Sequence, residues 1–246
     1  MIPKILHLCW LSGDPYPGMI KTCLRSWKRV LPDYEIKLWS QDNFDIDSVT
    51  YVREAVSVRK WAPAADYIRL WALYHYGGIY LDSDVFVRRS FDDLLKYDVF
   101  SAIERFTADP TNVGIQAAVL GSIPGHPYIA DCMKYYEEHP YILPDGSYAN
   151  QTLVAPGWFA QAAVPYGFKY MDEEQLLQDR MLILPSTSIP GSLINIPAES
   201  RAIHCCNGDW NFWTKRKFRQ KVYRKLMPLM LRQLELKSLL TKKSNR

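Results

Sequence analysis

One stretch decides how this chain folds: Gly77-Gly78-Ile79-Tyr80-Leu81-Asp82-Ser83-Asp84-Val85. Its β-branched and aromatic residues predict a short buried strand, which the glycine pair separates from the preceding segment. Asp82 and Asp84 therefore come at the end of a strand, where side chains two positions apart point to the same side. Two carboxylates so close repel each other, and a hard divalent cation that also binds phosphate oxygens would offset that repulsion. Isolated Asp-X-Asp triplets are common in solvated turns, so the neighbouring residues decide the interpretation.

The residues in front of this stretch predict a helix over positions 63–76, with Pro63 near its start and the glycine pair at its end. Asp66 and Arg69 are three residues apart and therefore share one side of this helix. A solvated pair of this kind contributes at most about half a kcal/mol. The apolar residues around the pair leave little polar surface, which weakens the interpretation as a surface ion pair and favours a functional one.

The rest of the chain alternates predicted strands and helices. Strands are predicted at residues 4–9, 34–39, 78–81, 98–103, 116–120, 181–184 and 201–205, and helices at residues 19–30, 63–76, 127–138, 148–163 and along the C-terminal segment. This alternation predicts an α/β fold with a mostly parallel central sheet and helices on both faces. Ligands of such sheets bind beyond the carboxyl ends of the strands. We therefore expect Leu8 and Trp10 to share a crevice with Asp82 and Asp84.

The central pattern resembles glycosyltransferase family 32: A-x-x-x-D-x-x-R, then L-Y-x-x-G-G-I-Y-x-D-x-D. That family includes bacterial capsule and lipopolysaccharide sugar transferases and fungal mannosyltransferases, and the glucosylating bacterial toxins are more distantly similar. The matching residues are Ala62, Asp66, Arg69, Leu73, Tyr74, Gly77, Gly78, Ile79, Tyr80, Asp82 and Asp84. Segments 2–10, 32–39 and 202–210 are similar to the first strand, the second strand and the C-terminal element of the family, so the likeness covers roughly residues 2–213.

The resemblance implies a nucleotide-binding fold of the glycosyltransferase A type, a retaining reaction, and Mn²⁺ or Mg²⁺ as cofactor. It makes Asp84 a direct metal ligand, while Asp82 reaches the metal through water or contacts ribose and sugar hydroxyls. The implied catalytic residues are Asp82, Asp84 and Arg69; the implied donor-binding residues are Leu8, Trp10, Asp66, Arg69, Tyr80, Asp82 and Trp210; the implied metal ligands are Asp84, His204 and Asp209. Arg69 suits the diphosphate because its planar guanidinium pairs with phosphate oxygens. Asp209 stands where the family has a serine.

Four further polar residues carry two interpretations each. Asn112, Gln116 and His126 lie in a region that resembles the acceptor side of the family, and each is either an acceptor contact or a turn or strand-edge residue. Glu104 follows an apolar run and is either an acceptor base or a charge at a strand end.

The charge of the chain is divided unevenly. Residues 214–246 contain 12 Lys or Arg and one acidic residue, a net charge of +11, so the whole-chain charge of +4 leaves −7 for residues 1–213. We expect a catalytic domain over residues 1–213 and a basic helical tail over residues 214–246, interrupted at Pro228. The tail is either a terminal helix packed on the body or an attachment to an anionic membrane surface. A nucleic-acid partner is not expected, because the acidic body offers no extended basic surface.

Composition favours a cytoplasmic enzyme, with a peripheral position on the inner membrane face as an extension of that expectation. The five cysteines include the adjacent pair Cys205-Cys206, which suits neither a disulfide framework nor a zinc site of the C-x-x-C type. No signal peptide and no run of 18 apolar residues is recognisable in the sequence.

The expected function is a metal-dependent retaining glycosyltransferase that moves a sugar from a nucleoside-diphosphate sugar to a glycan or lipid-linked saccharide. Two alternatives from other classes remain. A sugar-nucleotide-binding protein without catalysis is disfavoured because Arg69, Asp82 and Asp84 are all present. A nucleotidyltransferase could use the same paired carboxylates, but the chain has no glycine-rich phosphate loop of the P-loop kind.

Overall fold

The structure is a computed structural model that describes residues 1–151, 154–205 and 226–236. Its helices are α1 (Gly18–Val30), α2 (Thr50–Ser57), α3 (Trp61–Tyr76), α4 (Pro127–Glu138), α5 (Ala155–Ala163) and α6 (residues 226–236). Its strands are β1 (Ile5–Cys9), β2 (Glu35–Trp39), β3 (Gly78–Leu81), β4 (Val85–Val87), β5 (Val99–Arg105), β6 (Val113–Ile115), β7 (Val119–Ser122), β8 (Gln175–Leu176), β9 (Met181–Leu184) and β10 (Ala202–His204).

A central sheet of eight strands has the order β2-β1-β3-β7-β5-β9-β8, with β6 paired to β5, in the described part of the chain. The pairs β1–β2, β1–β3 and β5–β9 are parallel, while β7 is antiparallel to both β3 and β5. Strands β1, β2, β3, β5 and β9 therefore run in one direction. The predicted α/β fold with a mostly parallel sheet is confirmed.

Strand β3 is buried on both faces because its side chains alternate between two cores. Ile79 and Leu81 pack with Trp27 of α1 in one hydrophobic cluster, whereas Tyr80 packs in a second cluster formed largely by α2, α3, α4 and α5. Side chains that alternate along a strand into helices on either side are typical of such sheets. The helices thus cover both faces, as predicted.

The glycine pair between α3 and β3 is required by two close approaches. Gly77 has φ +61° and Gly78 has φ +106°, a region that side-chain-bearing residues rarely adopt. A Cβ on Gly77 would lie 2.7 Å from the ring of Pro124, and one on Gly78 would lie 2.7 Å from the carbonyl oxygen of Ile5. The pair lets the chain leave α3 and enter the sheet directly beside β1.

A buried histidine ties these elements together. His7 of β1 is fully buried, and its Nε2–H donates to the carbonyl oxygen of Gly77 at 2.7 Å. The indole N–H of Trp39 on β2 donates to Nδ1 of His7 at 3.1 Å. Because an indole nitrogen is only a donor, Nδ1 must accept and the ring is neutral. Burial lowers the pKa of His7 to about 4.

The sequence-based prediction was wrong for two elements. The helix expected over residues 148–163 begins only at Ala155, because Tyr148 forms a β-bridge with Ile142. The strand expected over residues 116–120 begins only at Val119, as β7, because residues 116–118 bend away from the ladder. In this bend the N–H of Gln116 donates to the carbonyl oxygen of Ala102, and the carbonyl oxygen of Ala118 accepts from the N–H of Asp82. Helix α2 and the short strands β4, β6 and β8 were not predicted.

The C-terminal region is described in part. The expected boundary between residues 213 and 214 lies outside the described residues, whereas α6 is helical and packs on the body. No helix within residues 1–151, 154–205 and 226–236 has the length and apolar character needed to cross a bilayer.

Candidate active site

Asp82 and Asp84 lie in a tight connection between β3 and β4. The backbone N–H of Asp82 donates to the carbonyl oxygen of Ala118 at 2.9 Å, and the N–H of Val85 donates to the carbonyl oxygen of Asp82 at 2.9 Å. These bonds fix the turn at the carboxyl end of β3, next to the end of β1. The position agrees with the expectation that ligands bind at this edge of the sheet.

A small second sheet brings His204 to the two carboxylates. Strand β10 pairs antiparallel with β4, which places His204 opposite Val85, and the N–H of Cys205 donates to the carbonyl oxygen of Asp84 at 3.1 Å. His204 Nε2 lies 3.5 Å from Asp84 Oδ1 and 3.9 Å from Asp82 Oδ2. Residues some 120 positions apart in sequence thus share one site.

This group fits a divalent metal ion. One ligand atom from each of Asp82, Asp84 and His204 lies within 4.8 Å of the others. Ligand atoms on one ion at about 2.1 Å are at most about 4.2 Å apart, so the two measured His–Asp separations fit a shared ion directly. Carboxylates suit Mg²⁺ and Mn²⁺, and an imidazole is a common ligand of transition metals. The predicted ligands Asp84 and His204 are brought together, and Asp82 joins them.

Arg69 is buried beneath this group rather than exposed to a ligand. Its side chain is 4% exposed, and Nη2 lies 2.6 Å from Asp66 Oδ1 and 3.5 Å from Asp82 Oδ1. Its Nη1–H donates to the carbonyl oxygen of Ala117 at 2.6 Å, and its Nε–H donates to that of Ala65 at 3.2 Å. The N–H groups of the guanidinium therefore bind acceptors on α3, the carboxylate of Asp82, and a carbonyl in the connection between β6 and β7.

Tyr80 is also buried and binds Asp82 from the interior side. It is 1% exposed, its hydroxyl donates to Asp82 Oδ1 at 2.8 Å, and the guanidinium carbon of Arg69 lies 4.6 Å from its ring centre. Burial raises the pKa of Tyr80 well above its usual value, so the hydroxyl remains a donor. Tyr80 and Arg69 both hold the Oδ1 atom of Asp82, while Oδ2 of Asp82 is the oxygen nearer His204.

Several charged side chains are buried close together at the site, and this shifts their pKa values. Burial raises the pKa of Asp66 to about 7, although Arg69 opposes this. Burial alone would lower the pKa of Arg69, but Asp82, Tyr80 and Asp66 raise it, so the guanidinium stays charged. Burial raises the pKa of Glu104 on β5 as well, with His204 and Arg69 opposing it. Glu104 is thus electrostatically coupled to the site.

The remaining predicted residues are placed in different ways. Leu8 is 2% exposed and lies inside a core cluster, so its side chain lines no open crevice. Trp10 is half-buried at the end of β1, where its ring packs against Tyr16 and its indole N–H donates to the carbonyl oxygen of Asp14. Asp209 and Trp210 lie outside the described residues.

In the region predicted to resemble the acceptor side, Gln116 and His126 form hydrogen bonds with the backbone. Gln116 is buried, and its Oε1 accepts from the N–H of Ala118, the residue whose carbonyl holds Asp82. His126 caps α4, since its Nδ1 accepts from the N–H of Tyr128. Sequence patterns did not indicate the carbonyl oxygens of Ala117 and Ala118, because a backbone acceptor leaves no side-chain signal.

Two surface cavities lie near these elements in the described part. One of about 510 Å³ is lined by polar residues that follow β1 and β2 or flank the start of α3, among them Ser12, Asp14, Gln41 and Arg59. A second, of about 600 Å³, lies between α4 and α5. Neither cavity is lined by Asp82, Asp84 or His204.

The site geometry agrees with comparisons to known proteins. Residues 17–101 match the family described as the glycosyltransferase sugar-binding region containing the DXD motif. The matched residues make up about a third of the chain. The match covers α3, β3 and the Asp82-Ser83-Asp84 triplet, so the resemblance found in the sequence is confirmed there.

Curated relatives and one solved structure extend the comparison. Inositol phosphoceramide mannosyltransferase 2 of Schizosaccharomyces pombe is 35% identical over 150 residues, which are 58% of this chain and 41% of the relative. A mannosyl phosphorylinositol ceramide synthase of Saccharomyces cerevisiae is 30% identical over 156 residues, 58% of this chain and 38% of the relative. The aligned part thus spans about two fifths of these relatives. The PaToxG glycosyltransferase aligns with a TM-score of 0.51 at 19% identity over 67% of this chain and 69% of that one, so the two share a fold.

Proposed function

We propose that this chain is a metal-dependent retaining glycosyltransferase that uses a nucleoside-diphosphate sugar as donor. The observation that carries the proposal is the group formed by Asp82, Asp84 and His204 within a DXD sugar-binding region. A divalent ion held by these side chains would neutralise the negative charge that grows on the leaving diphosphate. The identity of the ion, Mn²⁺ or Mg²⁺, is part of the proposal.

In the proposed reaction, side chains of the protein position Asp82 and the donor sugar. Tyr80 and Arg69 hold one oxygen of Asp82, which leaves the other directed toward His204 and the metal group. Asp66, whose side chain is 18% exposed beside Arg69, can accept from a donor sugar hydroxyl. Arg69 has few donors left for the diphosphate, so its proposed contribution to catalysis is to orient Asp82 and compensate its charge.

We place the nucleoside beyond the carboxyl ends of β1 and β2, near Trp10. The polar cavity there offers the side chains of Asp14, Gln41 and Arg59 as hydrogen-bonding partners. Bound nucleotides occupy this edge in open α/β sheets. Trp210 and Asp209, which we expect to close over the diphosphate from the C-terminal side, stay predictions.

The acceptor is proposed to be a saccharide or a lipid that carries sugar or phosphate. The support is that relatives with 30–35% identity are named for mannosyl transfer to inositol phosphoceramide. We infer from this that the donor sugar is a hexose, with mannose the first to test. Transfer to a lipid would take place at a membrane surface, with the enzyme attached peripherally to its cytoplasmic face.

A panel of UDP- and GDP-sugars with Mn²⁺ or Mg²⁺ tests this proposal. We expect at least one donor to release free nucleoside diphosphate and sugar slowly by hydrolysis, and faster with a matching lipid or saccharide acceptor. A nucleotidyltransferase would release pyrophosphate from nucleoside triphosphates instead. A non-catalytic binding protein would be stabilised against melting by a donor but would release no product, and that result would refute the proposal.

A further inference from the structure

Helix α6 presents two unlike faces. Its inward face is formed by Met227 and Leu231, which are buried against Met19 and Cys23 of α1 and Ile203 of β10. Its outward face contains Leu226, Leu229 and Leu236, which are 48%, 56% and 52% exposed. At 100° per residue these three leucines fall within one narrow arc, opposite the buried pair. The described structure thus leaves a row of leucines on the solvent side of α6; we call these three residues the leucine row.

In sequence, the charged residues on both sides of the leucine row are almost all positive. The only acidic residue among residues 214–246 is Glu235. Its carboxylate points away from the row, since its oxygens lie 3.3 Å from Arg25 and Arg29 of α1. Arg232 is exposed on the outward side, and the segments that precede and follow α6 carry the other 11 basic residues of the tail. In sequence, the leucine row therefore lies within a segment of net charge +11.

We infer that the leucine row docks on the surface of an anionic lipid bilayer. Helices that lie in a membrane interface bury one apolar face at the level of the headgroups, and basic residues beside that face are attracted to acidic lipids. A second copy of this chain would bring two strongly basic tails together, which opposes dimerisation through this face. Charge complementarity thus favours lipid over self-association.

The docked face would lie beside the catalytic elements. The inward side of α6 shares a hydrophobic cluster with Ile203 and Cys205, the residues on either side of His204, and Trp10 packs against the same cluster. Docking would hold this side of the molecule against the headgroups. That docking brings a lipid-borne acceptor to the enzyme rests on the proposed function. The docking itself does not depend on that function.

Sedimentation of the full chain with vesicles tests the inference. The probes are vesicles of phosphatidylcholine alone and of phosphatidylcholine mixed with phosphatidylglycerol. Replacing the leucine row by Leu226→Gln, Leu229→Gln and Leu236→Gln keeps good helix-forming residues. A matched control replaces three exposed apolar residues elsewhere: Met171→Gln, Leu176→Gln and Ile194→Gln. Melting temperatures of both variants report whether they remain folded.

The wild type and the control should bind the mixed vesicles, with less binding as salt rises. The leucine-row variant should bind at least about tenfold more weakly, since apolar burial supplies much of interfacial binding. Charge reversal of Lys215, Arg216, Lys217, Arg219 and Lys221 to Glu should abolish binding. Equal binding by the leucine-row variant and the wild type, or a wild type that ignores mixed vesicles at low salt, would overturn the inference.

Two further outcomes separate docking from the proposed function. A change of oligomeric state in the leucine-row variant without a change in lipid binding would show that the face binds protein, which also overturns the inference. Donor hydrolysis should be the same in wild type and variant. If the wild type binds lipid but hydrolyses no donor, docking stands and the proposed function fails; if it hydrolyses a donor but binds no lipid, the reverse holds.

Discussion

The side chains that hold Asp82 are buried, while the side chain of Asp82 itself is 26% exposed. Tyr80 and Arg69 lie on the inner side of Asp82 and bind its Oδ1 atom, at 2.8 Å and 3.5 Å. Such outer partners orient a metal ligand and set its affinity for the metal. The family resemblance implies that both residues contact the donor, and in the structure both are buried against Asp82.

Tyr80→Phe should weaken metal binding while leaving the fold in place. The substitution removes only the hydroxyl bonded to Asp82, and a hydrogen bond to a charged group contributes about 1.5–3 kcal/mol. We expect Mn²⁺ affinity, measured by electron paramagnetic resonance on the protein without donor, to fall by about tenfold or more. Tyr128→Phe is the control, because it removes a buried hydroxyl that bonds Phe159 on α5. Equal Mn²⁺ affinity in Tyr80→Phe and wild type would contradict the positioning role.

Arg69→Met should reduce stability as well as activity. The sequence alone suggested a donor contact, whose loss costs activity and little stability. Because Arg69 is buried between Asp66 and Asp82, its removal leaves two carboxylates without their cation, a change that typically costs about 3–5 kcal/mol. Urea unfolding measures this against Arg53→Met, which removes an exposed arginine on α2. A loss below about 1 kcal/mol, in the range of a surface ion pair, would show that Arg69 is not a buried support.

Among the elements, the junction of α3 with β3 depends on β1. His7 joins the carbonyl of Gly77 to the indole of Trp39, and so links the end of α3 to both neighbouring strands. The turn that places Asp82 begins only five residues after Gly77. The protonation state of His7 is therefore coupled to the geometry of the site through the backbone.

Because His7 is buried in its neutral form, we expect the free energy of unfolding to fall in acid. Its pKa is lowered to about 4 by burial, from 6.5 in the unfolded chain, so the stability it contributes is present above pH 6.5 and is lost as pH falls through 4. Burial has the largest effect on this pKa; the hydrogen bond to Gly77 and the charge of Glu35 raise it, and the charge of Lys37 lowers it. His7→Gln cannot gain a proton, so between pH 7 and pH 4 its free energy of unfolding should fall by about 2–3 kcal/mol less than that of the wild type. Parallel curves from urea unfolding would contradict the role of His7.

Elements with a strong local signal were predicted well. Strands β3 and β9 and helix α4 have the predicted bounds, since glycine, proline and apolar runs mark their ends. Strands β4 and β6, of three residues each, exist because β10 and β5 pair with them, so no local pattern reveals them. For the same reason the sequence indicated His204 through resemblance, while its contact with Asp84 depends on the pairing of β10 with β4.

The chain as a single unit combines an acidic body with a basic tail. Residues 1–213 carry −7 and residues 214–246 carry +11. The carboxylates of the site contribute to the negative body, and they would repel a nucleoside diphosphate unless a cation intervenes. The divalent ion that we propose at Asp82, Asp84 and His204 would remove this repulsion.

Release of nucleoside diphosphate from a sugar donor, with and without metal, tests this requirement most directly. We expect wild-type release to stop in excess EDTA and to return with added Mn²⁺ or Mg²⁺. Asp84→Asn should cut turnover by at least about a hundredfold while its melting temperature stays near that of the wild type. Asp47→Asn, which changes an exposed carboxylate in the short 3-10 helix Ile46–Ser48, should retain full turnover. Full wild-type turnover in excess EDTA, or unchanged turnover in Asp84→Asn, would contradict the metal-centred account.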